Sequence, residues 1–147
     1  VVGLTVSIAQ AQRGISPVPD VSPLAFLAVP FFDIVLFAIF FGAAIFYRKR
    51  PAEHKRLMLL TAINLLPPAV ARIPIDSLAA YGPLWFFGVP DVIALICLGW
   101  DTWRHGKVNK VFLAGTVLLI ASHPLRLVLS GTDGWARFAA WLTGLAA

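Results

Sequence analysis

Between Pro23 and Tyr47 the chain runs through 25 residues with a single charged side chain, Asp33. At about 1.5 Å of rise per residue, a helix of that length covers the ~30 Å hydrocarbon core of a bilayer. The rest of the chain continues in the same way: 59% of its 147 residues are hydrophobic and 13% are charged, with a mean hydropathy of +0.84. That is too little polar surface to cover a water-soluble domain of this size. In lipid each backbone N–H and C=O must be satisfied within its own segment or a closed barrel. Long, unalternating apolar runs select the helix. The expected fold class is therefore all-α, an integral membrane helical bundle.

Four complete spans are predicted, at 23–47, 54–74, 83–103 and 111–130, within a single membrane domain covering residues 1–147. Residues 1–13 read as the end of a truncated first helix, since their apolar portion would reach only about 15–18 Å. Gly14 to Pro23 is rich in Pro, Ser and Gly and reads as an extramembrane loop. A short loop, Ile75 to Gly82, separates the second and third spans. The tail, 134–147, is too short to cross. Trp135, Phe138, Ala139, Leu142 and Leu145 recur at helical spacing, which predicts an interfacial helix, with packing on the bundle as the alternative.

Charge placement orients these segments. All four lysines (Lys49, Lys55, Lys107, Lys110) and four of the eight arginines (Arg48, Arg50, Arg56, Arg104) fall in or beside two basic turns, 48–56 and 104–110. Such turns remain on the cytoplasmic side of a membrane. Trp100 and Trp103 mark that interface, while Tyr81, Trp85, Trp135 and Trp141 mark the other, as aromatic belts do. The net charge of +5 is explained by these loops. It does not form the basic stripe of a nucleic-acid-binding domain. The single cysteine, Cys97, lies in an apolar run and allows no disulfide within one chain.

Two like-oriented hairpins echo each other faintly. Val29-Pro30…Asp33, a basic turn and Pro67-Pro68…Arg72 are followed by Val89-Pro90-Asp91, a basic turn and His123-Pro124…Arg126, in the manner of a parallel repeat. Asp33 and Asp91 lie roughly 12–15 Å deep in their spans, where a bare carboxylate costs about 2.5–3.5 kcal/mol. Arg72 and Arg126 rise toward the same depth. Asn64 shares a helix face with Arg72, and His123 shares one with Arg126. Asp33, Asn64, Arg72, Asp91, His123 and Arg126 thus form a candidate intramembrane polar cluster. Two readings stay open: buried ion pairs that fix helix packing, or a pocket for a small ligand, proton or ion.

Histidines raise a separate possibility. Haem b needs an imidazole on each side of its iron, and His54, His105 and His123 are the candidate ligands; otherwise no cofactor is expected. No Ser–His–Asp order, Gly-rich phosphate loop or HExxH occurs, so neither catalytic nor metal-binding residues are expected.

The stretch Arg50-Pro51-Ala52-Glu53-His54-Lys55-Arg56-Leu57-Met58-Leu59-Leu60 resembles a family of small multi-spanning bacterial inner-membrane proteins of unknown function, which begin a helix with H-K/R-R-L-M. Pro124-Leu125-Arg126-Leu127…Gly131-Thr132…Trp135…Phe138-Ala139…Trp141-Leu142 is similar to their C-terminal end, so the resemblance covers most of the chain from about Pro23. It implies a bacterial inner (plasma) membrane location. A looser similarity, to four-helix membrane proteins of haem handling or oxidase assembly, implies a haem-related accessory role. The expected function is a non-enzymatic accessory or scaffold subunit of a larger membrane complex, its partners being the lipid bilayer and a second membrane protein or further copies of itself. The alternatives are a haem-binding or redox-accessory protein, and a proton- or solute-binding protein using the Asp–Arg pocket.

Overall fold

The computed structural model describes residues 2–16, 21–73 and 81–145. Among them every regular element is a helix: α1 Val2–Gln12, α2 Pro23–Phe26, α3 Ala28–Phe46, α4 Pro51–Asn64, α5 Pro67–Val70, α6 Pro83–His105, α7 Lys110–Ser130 and α8 Asp133–Leu145. Val1, residues 17–20 of the expected first loop, Pro74 at the end of the expected second span, residues 75–80 of the next loop and residues 146–147 lie outside the described residues.

Three helical stretches are long and apolar enough to cross a membrane: Pro23–Phe46, Pro83–His105 and Lys110–Ser130. They coincide with three of the four predicted spans. The fourth, 54–74, is not one continuous helix. Its described residues belong to α4, a turn at Leu65 and Leu66, the four-residue α5, and a further turn at residues 71–73. Pro67 and Pro68 carry no N–H and so cannot bond back to the carbonyls of Ile63 and Asn64. The amides of Leu65 and Leu66 instead close tighter turns onto Ala62 (3.1 Å) and Ile63 (3.0 Å). A milder interruption separates α2 from α3 at Leu27, where Pro30 withholds the N–H that Phe26 would receive.

Local chemistry sets the helix ends. Ser22 caps α2 by accepting from the amide of Ala25 at 3.1 Å, with Pro23 at the first helical position. Gly106 ends α6 in a left-handed conformation (φ 66°), close to Arg104, whose charge suits a helix C-terminus. The Asn109 carboxamide oxygen then accepts from the amide of Phe112 at 2.9 Å and starts α7. Thr132 does the same for α8, its hydroxyl accepting from the amide of Trp135 at 3.2 Å.

The chain separates into two compact units. The first holds residues 1–35 and 122–147. Its core is Leu27, Ala28, Trp135 and Ala139, with Leu4, Ile8, Phe31 and Leu142 packed around it. The Trp135 indole donates to the carbonyl of Leu24 at 2.8 Å, and Phe31 meets the Trp135 ring edge-on at 5.6 Å. The Gln12 carboxamide donates to the carbonyl of Thr143 at 2.8 Å, tying α1 to α8. Trp135, Ala139 and Leu142 of the tail's apolar stripe thus belong to the face with which α8 packs on α1 and α2.

The second unit holds residues 36–121. Leu36, Phe40 and Ala44 of α3 pack with Leu57, Leu60 and Ile63 of α4, Ala94 of α6, and Phe112 and Leu119 of α7. Cys97 packs on the edge of this core. Gly115 permits a close approach: a Cβ there would run into the Leu60 side chain. Small residues at such crossings let helices in lipid pack by close contact.

Candidate functional site

In the first unit, Asp33 on α3 and Arg126 on α7 form a buried ion pair. The Arg126 Nη1 lies 2.6 Å from the Asp33 Oδ1, and the two side chains are 1% and 8% exposed. The guanidinium is held from its own helix as well. Its Nη2 donates to the Ser122 hydroxyl at 3.2 Å, and its Nε to the Ser122 carbonyl at 3.4 Å. Ser122 stands one turn before Arg126, so the helix itself aims the guanidinium. Three donors in a planar fork suit arginine, and a lysine could not reproduce them. His123, on the next position of α7, is 3% exposed. Asp33 and Arg126 are therefore brought together, and His123 is buried on the same helix as Arg126.

The remaining cluster residues belong to the second unit. Asn64, at the end of α4, is 1% exposed. Asp91 follows the buried Pro90 within α6. Arg72 is exposed, and its Nη1 donates to the carbonyl of Pro68 at 3.3 Å, turned back on the backbone one turn earlier. The six residues gathered by depth in the sequence are thus divided between two units.

A second charged centre occurs where the sequence reading placed no acid. Arg56 of α4 grips Asp101 of α6 with two parallel bonds, Nε to Oδ2 at 2.9 Å and Nη2 to Oδ1 at 2.8 Å. The side chains are 12% and 16% exposed. His105, one turn after Asp101, places its Nδ1 2.8 Å from the Asp101 carbonyl and 3.3 Å from its Oδ1. Asp101 is flanked by Trp100 and Trp103, whose rings meet at 5.1 Å. The available signal was the i, i+4 spacing of Asp101 and His105 at the end of a span. Ser122, also missed, stands in the same relation to Arg126.

The candidate haem ligands are placed separately. His54 is part-buried, and its Nδ1 lies 2.8 Å from the carbonyl of Ala44. Such a bond orients the ring and leaves Nε2 as the coordinating atom. It also suffices to hold a structural histidine. His105 is half-exposed and engaged with Asp101, and His123 lies in the first unit. Among the described residues no group of three or more His, Cys, Asp or Glu side chains could hold a metal ion.

Among the described residues two ion pairs join helices distant in sequence. No protein-family model matches the chain, and neither a curated protein nor a solved structure matches it.

Proposed function

We propose that this chain is a non-enzymatic integral membrane protein that serves as a small scaffold or accessory subunit. The observation that carries this reading is the surface of α6. It is long and apolar enough to cross a membrane, yet only 17% of its most apolar window is buried. Leu84, Val92, Leu95 and Ile96 are all more than half exposed. Contiguous apolar surface of this extent needs lipid or a partner protein against it.

In this reading the bundle crosses four times, and the second crossing is the discontinuous α4–α5 segment. Both basic turns then face the cytoplasm, because an even number of crossings separates them. The bacterial inner membrane is the proposed location, resting on the resemblance of Arg50–Leu60. The Asp33–Arg126 pair supports a scaffold. With its charges matched and the guanidinium held from both helices, it fixes which helices pack together.

Single cysteines placed in the loops of a Cys97→Ala background, and labelled from either side of intact cells, test the topology. Residues 49 and 107 should label together from the cytoplasmic side. Co-purification of a stoichiometric membrane partner, or a defined homo-oligomer in mild detergent, supports the scaffold role. A monodisperse monomer at every concentration contradicts it. The buried His123 beside Arg126 favours a second reading, in which the same pair binds a proton or small anionic solute. In that case Asp33→Asn would leave assembly intact and abolish binding. A Soret band in the purified protein would move the assignment to haem.

A further inference from the structure

We propose that the hollow at the C-terminal end of α3 binds the phosphate group of an anionic phospholipid between Lys49 and Arg50. The proposal rests on the membrane reading above.

The hollow measures about 280 Å³ and is lined by Phe46, Tyr47, Lys49 and Arg50. A tight turn builds it, with the Arg48 amide donating to the Ile45 carbonyl at 3.2 Å and the Arg50 amide to the Tyr47 carbonyl at 2.8 Å. Two cationic side chains therefore leave the backbone within one short bend. The Arg50 guanidinium carbon lies 5.8 Å from the centre of the Tyr47 ring. That contact steers the guanidinium toward the hollow, and it leaves the fork of donors usable for phosphate. Tyr47 is itself anchored, since it packs on the core of the second unit.

The lining brings two cations and no carboxylate. Asp101, an acid of this unit, is held by Arg56 in a bidentate pair. Glu53 starts the next helix and does not line the hollow. The remaining wall is apolar. Phe46, the last residue of α3, is 81% exposed and meets Tyr47 edge-on at 5.2 Å. A cationic wall joined to an exposed aromatic ring at the end of an apolar helix matches an amphiphile, with phosphate above and acyl chain below. Free phosphate would use only the first half. Juxtamembrane cations attract anionic headgroups in the same way.

The full chain in maltoside micelles, titrated with phosphatidylglycerol and read by native mass spectrometry, tests the site. Lys49→Gln with Arg50→Gln should weaken lipid binding about 30-fold. The equivalent pair Arg104→Gln with Lys107→Gln should weaken it much less. The charge-keeping swap Lys49→Arg with Arg50→Lys should retain binding, which guards against loss through misfolding. Equal losses in the two glutamine pairs would overturn the proposal, because they would mark a diffuse charge effect. Phosphatidylcholine binding as tight as phosphatidylglycerol would overturn it also. Displacement of the lipid by millimolar inorganic phosphate would reassign the hollow to a soluble anion. Carbonate extraction of the wild-type protein separates the underlying reading. If the chain washes off the membrane, both fall; if it stays and the glutamine pairs behave alike, only the lipid site falls.

Discussion

Asp33 and Arg126, 93 positions apart, meet at 2.6 Å with almost no solvent between them and the surrounding helices. Removing one partner strands the other charge in an apolar interior. Arg126→Met or Asp33→Leu alone should destabilise the fold by about 3–5 kcal/mol. The double replacement should recover most of that loss, because two matched apolar side chains need no desolvation. Thermal unfolding of the four proteins in one detergent gives the coupling directly. Additive losses would show that the pair does not act as a unit.

Asp101 should matter less than Asp33, although Arg56 holds it through two bonds. Its side chain is 16% exposed, so water compensates part of any loss. Asp101→Asn is expected to cost about 1–2 kcal/mol, between the exposed and fully buried limits. A double-mutant cycle with Arg56→Gln should assign most of that to the pair. A coupling energy near zero would make it incidental.

Gly115→Ala tests the packing of the second unit. The new methyl would run into Leu60, which is fully buried and has little room to move. A destabilisation of about 1–3 kcal/mol is expected for such overpacking. Shortening the obstacle with Leu60→Val should restore part of it. Gly99, with nothing within 4 Å of its added Cβ, is the matched control, and Gly99→Ala should be nearly neutral.

Replacing Pro67 and Pro68 together by alanine supplies two amide donors at the break between α4 and α5. The ladder from Ile63 and Asn64 should then close. Hydrogen exchange across residues 65–70 should slow, because alanine favours the helix interior by about 3 kcal/mol over proline at each position. Unchanged exchange there would mean that tertiary packing, with Pro67 and Val70 buried against α6, maintains the break without the prolines.

Much of this fold was legible in the residues. The helical stretch from Pro23 to Phe46 was visible because apolar length and the scarcity of charge act locally. The interruption at Leu65 was partly legible. Pro67 and Pro68 announce the lost donors, but a continuous span was expected because apolar length alone does not show where a helix breaks. Asp101, at the end of the predicted span 83–103, was overlooked because its partner Arg56 lies 45 positions away on another helix and is found only once the helices pack.

Apolar length and charge spacing by themselves determined the all-helical class, the three helical stretches long and apolar enough to cross a membrane, and the position of the basic turns, since each depends on neighbours along the chain. Between Pro23 and Tyr47 they also showed that one aspartate must be accounted for. The partner was another matter. Arg72 and Arg126 sit at similar depth in the sequence, and depth alone does not distinguish them. Tertiary structure decided for Arg126, because helix rotation and side-chain reach, set by packing between segments far apart in the chain, bring its guanidinium to the carboxylate while Arg72 bonds to its own backbone.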